Sequence, residues 1–248
     1  DIDANSVSIV AADDSGAFYG IQSLAALTMP GSTLVQTQKI VDSPRYQYRG
    51  HHLDVSRNFH GVNFIRTMIE QMAAVKLNKL HLHLAEDEAW RLEIPGLEEL
   101  TELSSKRCMD LSEKNCLSPQ LGAADSPHRD GYISVQEYID IVKYADAHHI
   151  EVIPSLDMPG HSRAVVKAME ARYHRFMQQE NPVEAEKYLL SDLADETKYR
   201  SIQHYSDNTI NVCMESSYSF FDKVIKEIKL MHEQAGQALK LYHIGADE

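Results

Sequence analysis

From Tyr48 onward the chain repeats one pattern: a short apolar run, a cluster of polar residues, then apolar positions at helical spacing. The first run, Arg49 to Val55, predicts a strand that leads into Ser56-Arg57-Asn58-Phe59. Ile65, Met68, Ile69, Met72 and Ala73 then recur with the helical period, which predicts a helix from about Asn63 to Val75. A second strand, Lys79 to Ala85, ends in Glu86-Asp87-Glu88, and a long loop spans Pro95 to Gly131. Ser134-Val-Gln-Glu137 has the spacing of a capping box and opens a helix carrying Ile139, Val142 and Ala145. The third strand, Glu151 to Leu156, ends at Asp157-Met-Pro-Gly-His161. Helical material is expected from Arg163 to Leu193, and an amphipathic helix with Phe221, Val224, Ile225 and Ile228 runs to Gly236. The fourth apolar run, Leu241, Tyr242 and Ile244, reads as a strand that delivers Asp247 and Glu248 at its end.

Four strand-then-helix units in series imply parallel strands joined by right-handed crossovers. Polar residues follow every strand, at Asp54/Arg57, Glu86/Asp87, Asp157/His161 and Asp247/Glu248. That placement fits a (β/α)₈ TIM barrel, whose chemistry sits at the C-terminal strand ends. A doubly wound sheet ranks second, because no Gly-rich phosphate loop follows the first strand. The expected fold is therefore α/β, with residues 47–248 as the N-terminal half of the barrel. Residues 1–46 read as the C-terminal part of a small α/β accessory domain. They offer a strand over Ser6 to Ala12 and a helix from Ser15 or Gly16 through Leu27. A breaker follows at Met29-Pro30-Gly31, then an extended segment from Thr33 to Val41. Four barrel strands would leave two open edges and an uncovered inner face. The expectation is a chain that self-associates or pairs with a piece carrying the other strands, and that hydrolyses nothing alone.

Composition narrows the partners. Apolar residues make up 43% and charged residues 25%, as in soluble globular proteins. No run approaches the roughly 18 apolar residues of a membrane span. A net charge of −13 argues against nucleic acid or an anionic membrane as partner. No signal peptide opens the chain, and Asp1-Ile-Asp-Ala is not a natural start, so location is not read from it. Cys108 and Cys116 lie close together in a polar loop, either as a small disulfide of an oxidising compartment or as two unpaired thiols. Cys213 has no local partner, and no Cys/His spacing matches a zinc site.

The strand ends define the candidate chemistry. Asp247 and Glu248 can serve as acid and base, and successive strand positions point to opposite sides, so they would hold separate roles. Arg57 offers several donors in one rigid fork, suited to sugar hydroxyls, although an isolated Arg is as readily a surface ion pair. His161, after Pro159-Gly160, would be aimed back over the strand ends, although a lone His is often structural. His81 and His83 alternate with leucines on one strand face. They read as hydrogen-bonded buried histidines. The rival is the His-x-His of a metal-dependent TIM-barrel hydrolase.

Four ordered motifs carry a resemblance: Arg49-Gly-His-His-Leu-Asp-Val-Ser-Arg57, the stretch from Lys79 to Leu97 containing Glu86-Asp-Glu-Ala-Trp-Arg91, Glu151-Val-Ile-Pro-Ser-Leu-Asp-Met-Pro-Gly-His161, and His243-Ile-Gly-Ala-Asp-Glu248. From about Ser15 to the last residue the chain resembles the family-20 glycoside hydrolases, the β-N-acetylhexosaminidases, and within them the bacterial chitobiases. The Cys108/Cys116 loop and Ala164 to Tyr173 are similar to the chitobiase branch as well. The resemblance implies exo-hydrolysis of terminal N-acetylhexosamine from chitooligosaccharides with retention, in a bacterial periplasm or secreted. The substrate's own N-acetyl oxygen would attack the anomeric carbon. By the same resemblance Glu248 is the general acid and later base, and Asp247 orients the acetamido group. Arg57 grips the terminal sugar, and His161, Asp157 and an acid from Glu86 or Asp87 form a supporting polar chain. Neither cofactor nor metal is implied. An inactive or carbohydrate-binding relative is the alternative. The family usually has Asp-Asp where this chain has Glu86-Asp87, Gly where it has Ala246, and several later tryptophans where it has only Trp90.

Overall fold

A computed structural model describes residues 1–28, 31–32, 34–120 and 129–246. Asp247 and Glu248 lie outside the described residues. So do Met29, Pro30 and Thr33, on which parts of the expected breaker and extended segment fall.

The repeating pattern folds as a mixed α/β unit. Strands β1 (Gly50–Asp54), β2 (Lys79–Glu86) and β4 (Glu151–Leu156) run parallel, with β2 in the middle. The short β3 (Ala89–Trp90) folds back antiparallel on the end of β2. Helices connect the parallel strands: α2 (Val62–Ala74) between β1 and β2, and α4 (Val135–Ala147) between β2 and β4. The capping box forms as its spacing requires, with Ser134 and Glu137 each satisfying the other's backbone N–H. Beyond β4 come α5 (Arg163–Gln178), α6 (Pro182–Glu186) and the long α7 (Glu215–Ala235). Gly236 caps α7 at φ +83°, a conformation only glycine adopts without penalty. The loop after β3 contains one further turn of helix, α3 (Glu99–Glu102).

Side-chain alternation gives the sheet two unlike faces. Leu53, Leu80, Leu82 and Leu84 point toward the helices and are buried. They form one core with Ile65, Ile69 and Met72 of α2, Ile139 and Val142 of α4, and Val224 and Ile228 of α7. The opposite face carries His52, Asp54, His81 and His83. Between His83 and Ala85 the register against β4 shifts, an irregularity just ahead of the acidic turn.

Three expected elements differ. Ser6 to Ala12 is not a strand: among the described residues of the first 46, only the bridges Ile2–Val7 and Ile2–Gln38 form, and Val10 is exposed. An alternating segment needs a neighbour for its backbone groups, and this one has a single bridge. The fourth apolar run reaches the edge of the sheet through one bridge, Ser155–His243, with His243 donating to the Pro154 carbonyl at 3.0 Å. It continues the order β1-β2-β4 in parallel. The helical material from Arg163 is interrupted after Gln178 rather than continuous. Helix α1 (Asp14–Leu27), capped by Asp13, packs Phe18 against the core and against the rings of His148 and His149, and polar contacts add to this attachment of residues 1–46. Lys76 bonds Asp42 at 2.9 Å, and Ser15 lies 3.1 Å from His149 Nδ1.

Candidate active site

The parallel strands end side by side, and each delivers part of one connected polar group. At the end of β1, Asp54 Oδ1 accepts the backbone N–H groups of Ser56 and Arg57, at 2.9 and 3.0 Å. Its other oxygen takes Arg57 Nη1 at 2.8 Å. The second arm of the Arg57 fork, Nη2, donates to Glu86. Burial alone would lower the Arg57 pKa, but its hydrogen bond to Asp54 and the charges of Glu86, Asp54 and Glu88 outweigh that and raise it. Arg91 fixes the backbone beneath: its guanidinium donates to the carbonyls of Val55, Ser56, Ser105 and Gly131. A buried guanidinium with so many carbonyl partners ties the Arg57 loop to the loop behind it.

The β2–β3 hairpin turns at Asp87 and Glu88, so three acids crowd where the backbone reverses. All three are buried. Glu86 Oε2 accepts the Asp87 N–H at 2.6 Å. His161 Nδ1 lies 3.0 Å from Glu86 Oε1 and 3.5 Å from Asp87 Oδ2. Asp87 is otherwise occupied, accepting from the Arg163 N–H and from Asn208 Nδ2, each at 3.0 Å. Burial pushes the Glu86 carboxyl up to about 7 against the pull of Arg57 and His161, and raises Asp87 too. A carboxyl poised near neutrality beside a histidine can hold or release the proton that sets the histidine's state.

His161 is buried at φ +52°, left-handed backbone that histidine adopts more readily than most residues. The Pro159-Gly160 turn and the Ser162 side chain, bonded to the carbonyls of Asp157 and Gly160, hold it there. Asp157 directly follows β4, with Oδ1 3.7 Å from Nδ1 of His83 on the neighbouring β2. Gly245, at φ +68°, passes so close that any Cβ would collide with the Asp157 carboxylate. The backbone leading to Asp247 is thus laid directly on the site.

Arg57, Glu86, Asp87, Asp157 and His161 are therefore gathered at one end of the sheet. Cys108 and Cys116 are bonded, with Cα atoms 5.8 Å apart, in a loop beside it. Glu113 of that loop accepts from Arg163 Nη1 at 3.0 Å, linking the loop to the residue whose N–H holds Asp87. Residues 46–248 match the family model described as glycosyl hydrolase family 20, catalytic domain. The chain belongs to glycosyl hydrolase family 20.

Among its relatives in the family, a β-hexosaminidase B of Pseudoalteromonas piscicida is 55% identical over 98% of this chain and 32% of its own length. An N,N'-diacetylchitobiase of Vibrio harveyi is 48% identical over 100% of this chain and 28% of its own length. A solved family-20 exo-β-N-acetylglucosaminidase from Vibrio harveyi, in complex with N-acetylglucosamine, superposes with a TM-score of 0.78 at 34% identity. It covers 96% of this chain and 34% of that one. The chain thus spans about a third of the length of the relatives it matches.

Against the family's usual Asp-Asp, the longer Glu86 reaches both Arg57 and His161, while Asp87 is held by backbone and amide donors. Asn208 and Arg163 join this candidate site through Asp87 but escape sequence reasoning. Asn208 stands in Ser206-Asp-Asn-Thr, which reads as an ordinary loop. Only the fold brings it to Asp87. Among the described residues, three groups of side chains could offer ligand atoms to a metal: His52-His81-His83, His83-Glu86-Asp157 and Glu86-Asp87-His161. The last two are already engaged in the polar network described above.

Proposed function

We propose that the whole protein is an exo-acting β-N-acetylhexosaminidase that removes terminal N-acetylhexosamine from chitooligosaccharides with retention. The observation that carries this reading is the unbroken line Arg57–Glu86–His161 at the strand ends, beside the backbone leading to Asp247 and Glu248. In this mechanism the substrate's acetamido oxygen attacks the anomeric carbon and forms an oxazolinium, which Asp247 stabilises electrostatically. Glu248 donates a proton to the departing oxygen and then takes one from the incoming water. Arg57, anchored by Asp54 and Glu86, holds hydroxyls of the terminal sugar. His161, with Glu86 and Asp157 beside it, belongs to the polar chain that sets the proton affinity of Glu248.

The parallel order β1-β2-β4 followed by the His243 segment supports reading residues 47–248 as the first four strands of a (β/α)₈ barrel. Residues 1–46 are then the tail of a preceding accessory domain. The Cys108–Cys116 bond favours a periplasmic or secreted protein, because cytosolic thiols are kept reduced. The names of the relatives favour N-acetylglucosaminides as substrates.

The test compares Glu248→Gln on two substrates. A nitrophenolate leaves without a proton, whereas a sugar alkoxide needs one. The variant should therefore lose far more activity on chitobiose than on the nitrophenyl N-acetylglucosaminide. Equal losses on both would remove Glu248 as the acid. A whole protein that binds N-acetylglucosamine and cleaves neither substrate would instead be a carbohydrate-binding relative.

A further inference from the structure

Two acids stand within reach of His161, and the structure holds one of them back. Asp87 is buried, with a donor on each carboxylate oxygen. Oδ1 accepts the Arg163 N–H and Oδ2 accepts Asn208 Nδ2, both at 3.0 Å. His161 Nδ1 lies 3.0 Å from Glu86 Oε1 but 3.5 Å from Asp87 Oδ2.

Both donors on Asp87 trace to one residue. Arg163 supplies the first from its own backbone, at the start of α5, where the helix dipole also favours a carboxylate. Its Nε bonds Asp207 Oδ1 at 2.8 Å, and Asp207 is the neighbour of Asn208, the source of the second. The Ser162 N–H, one residue earlier, donates to the Asn208 carbonyl at 2.9 Å. The rest of the guanidinium faces the disulfide loop, where Nη1 and Nη2 form a fork on the two oxygens of Glu113. Glu113 stands at φ +47° inside the loop that Cys108–Cys116 closes, and its Oε1 also takes the Ser118 N–H at 2.7 Å. The Arg163 and Glu113 side chains are each 12% exposed, so their pairing is screened less than a surface ion pair. The Tyr205 ring lies 5.3 Å from the guanidinium and packs against it. All of these contacts join the loops after β2 and β4, two strands that each have a neighbour on both sides.

We infer that Arg163, braced by the disulfide loop through Glu113, is a positioning residue that holds Asp87 back and so assigns Glu86 to His161. Only its effect on turnover rests on the hydrolytic reading above; the arrangement of the two acids does not. Without the guanidinium, the 162–163 and 207–208 segments lose their common anchor, and the two donors on Asp87 no longer stay in register. The freed carboxylate then turns toward His161 and competes with Glu86. An imidazole shared between two acids is fixed by neither, and a reacting group is held only as well as the residues behind it. The polar chain that reaches Glu248 loosens at that point.

The test uses the whole protein with nitrogen-15-labelled histidine, the His161 ring resonances being assigned by their loss in His161→Gln. Arg163→Gln should move those resonances. Glu113→Gln and reduction of Cys108–Cys116 should move them the same way by less, and Lys226→Gln, in an exposed ion pair on α7, should leave them in place. In turnover of the nitrophenyl N-acetylglucosaminide, Arg163→Gln should lower kcat about tenfold with KM unchanged, the loss of about one charge-assisted hydrogen bond. Arg163→Gln combined with Asp87→Asn should lose no more than Asp87→Asn alone, because the clamp then has no carboxylate to hold. Unmoved ring resonances in a folded Arg163→Gln protein would overturn the positioning role, and additive losses in the double variant would reduce Arg163 to a structural one. Resonances indifferent to reduction would overturn the brace by the disulfide loop. A whole protein without hydrolase activity would end the hydrolytic reading, while the ring resonances still decide what Arg163 does.

Discussion

Replacing Glu88 with Gln should flatten the pH dependence of stability. Glu88 is 1% exposed, and neither carboxylate oxygen has a hydrogen-bond partner among the described residues. Burial pushes its pKa from 4.5 up to about 7; Arg107 and Arg57 oppose the shift, while Asp54 and Asp87 add to it. The folded state therefore binds the proton more tightly than the unfolded chain. Its contribution to stability is fully present below about pH 4.5 and is lost as pH rises through about 7. A shift of that size corresponds to about 3 kcal/mol, of which roughly 2–3 kcal/mol falls between about pH 5 and about pH 8. Gln keeps the shape and cannot ionise, so the variant should lose that much less stability over the same interval. Glu86 titrates in the same direction and window, so a residual slope should remain. Urea unfolding followed by Trp90 fluorescence makes the measurement, because Trp90 is the one tryptophan and is buried two residues away. A variant with the full pH slope of the unsubstituted chain would refute the assignment, as would equal destabilisation at both pH values.

In the whole protein, Asp247→Asn should lower kcat by about a hundredfold, or about 3 kcal/mol, since its proposed interaction develops with the charge of the transition state. An unchanged kcat with an unchanged melting curve would contradict that role. Arg57→Lys keeps the charge but cannot reach Asp54 and Glu86 together, so kcat/KM should fall by roughly thirtyfold, about 2 kcal/mol. Full activity would show that the fork geometry is dispensable. Gly245→Ala places a methyl against the Asp157 carboxylate at φ +68°, a backbone conformation that costs an L-residue about 1–2 kcal/mol. It should lower both the melting temperature and activity, and a neutral result would mean that this backbone does not lie on Asp157.

Local pattern determined much of the secondary structure, because a helix or a half-buried strand is specified by which positions recur on one face. The helices near Asn63, after Ser134 and before Gly236, and the strands at Gly50, Lys79 and Glu151, follow from that periodicity. So does the gathering of Arg57, Glu86, Asp157 and His161, since each follows directly on a predicted parallel strand. Pairing is a different matter. Among the described residues, Ser6 to Ala12 alternates like a strand yet has only a bridge at Val7, and Leu241 to Ile244 has only the bridge at His243. A strand is stabilised by a neighbour's backbone, which the segment's own residues do not specify. The choice of Glu86 over Asp87 as the nearer partner of His161 was likewise settled by tertiary contacts. Asn208 and the Arg163 N–H occupy Asp87, and both come from segments far along the chain. The same holds for the raised pKa values of Glu86 and Glu88. An acidic turn is ordinarily solvated, and only the packing of distant elements around this hairpin removes the water that would have kept both carboxylates acidic.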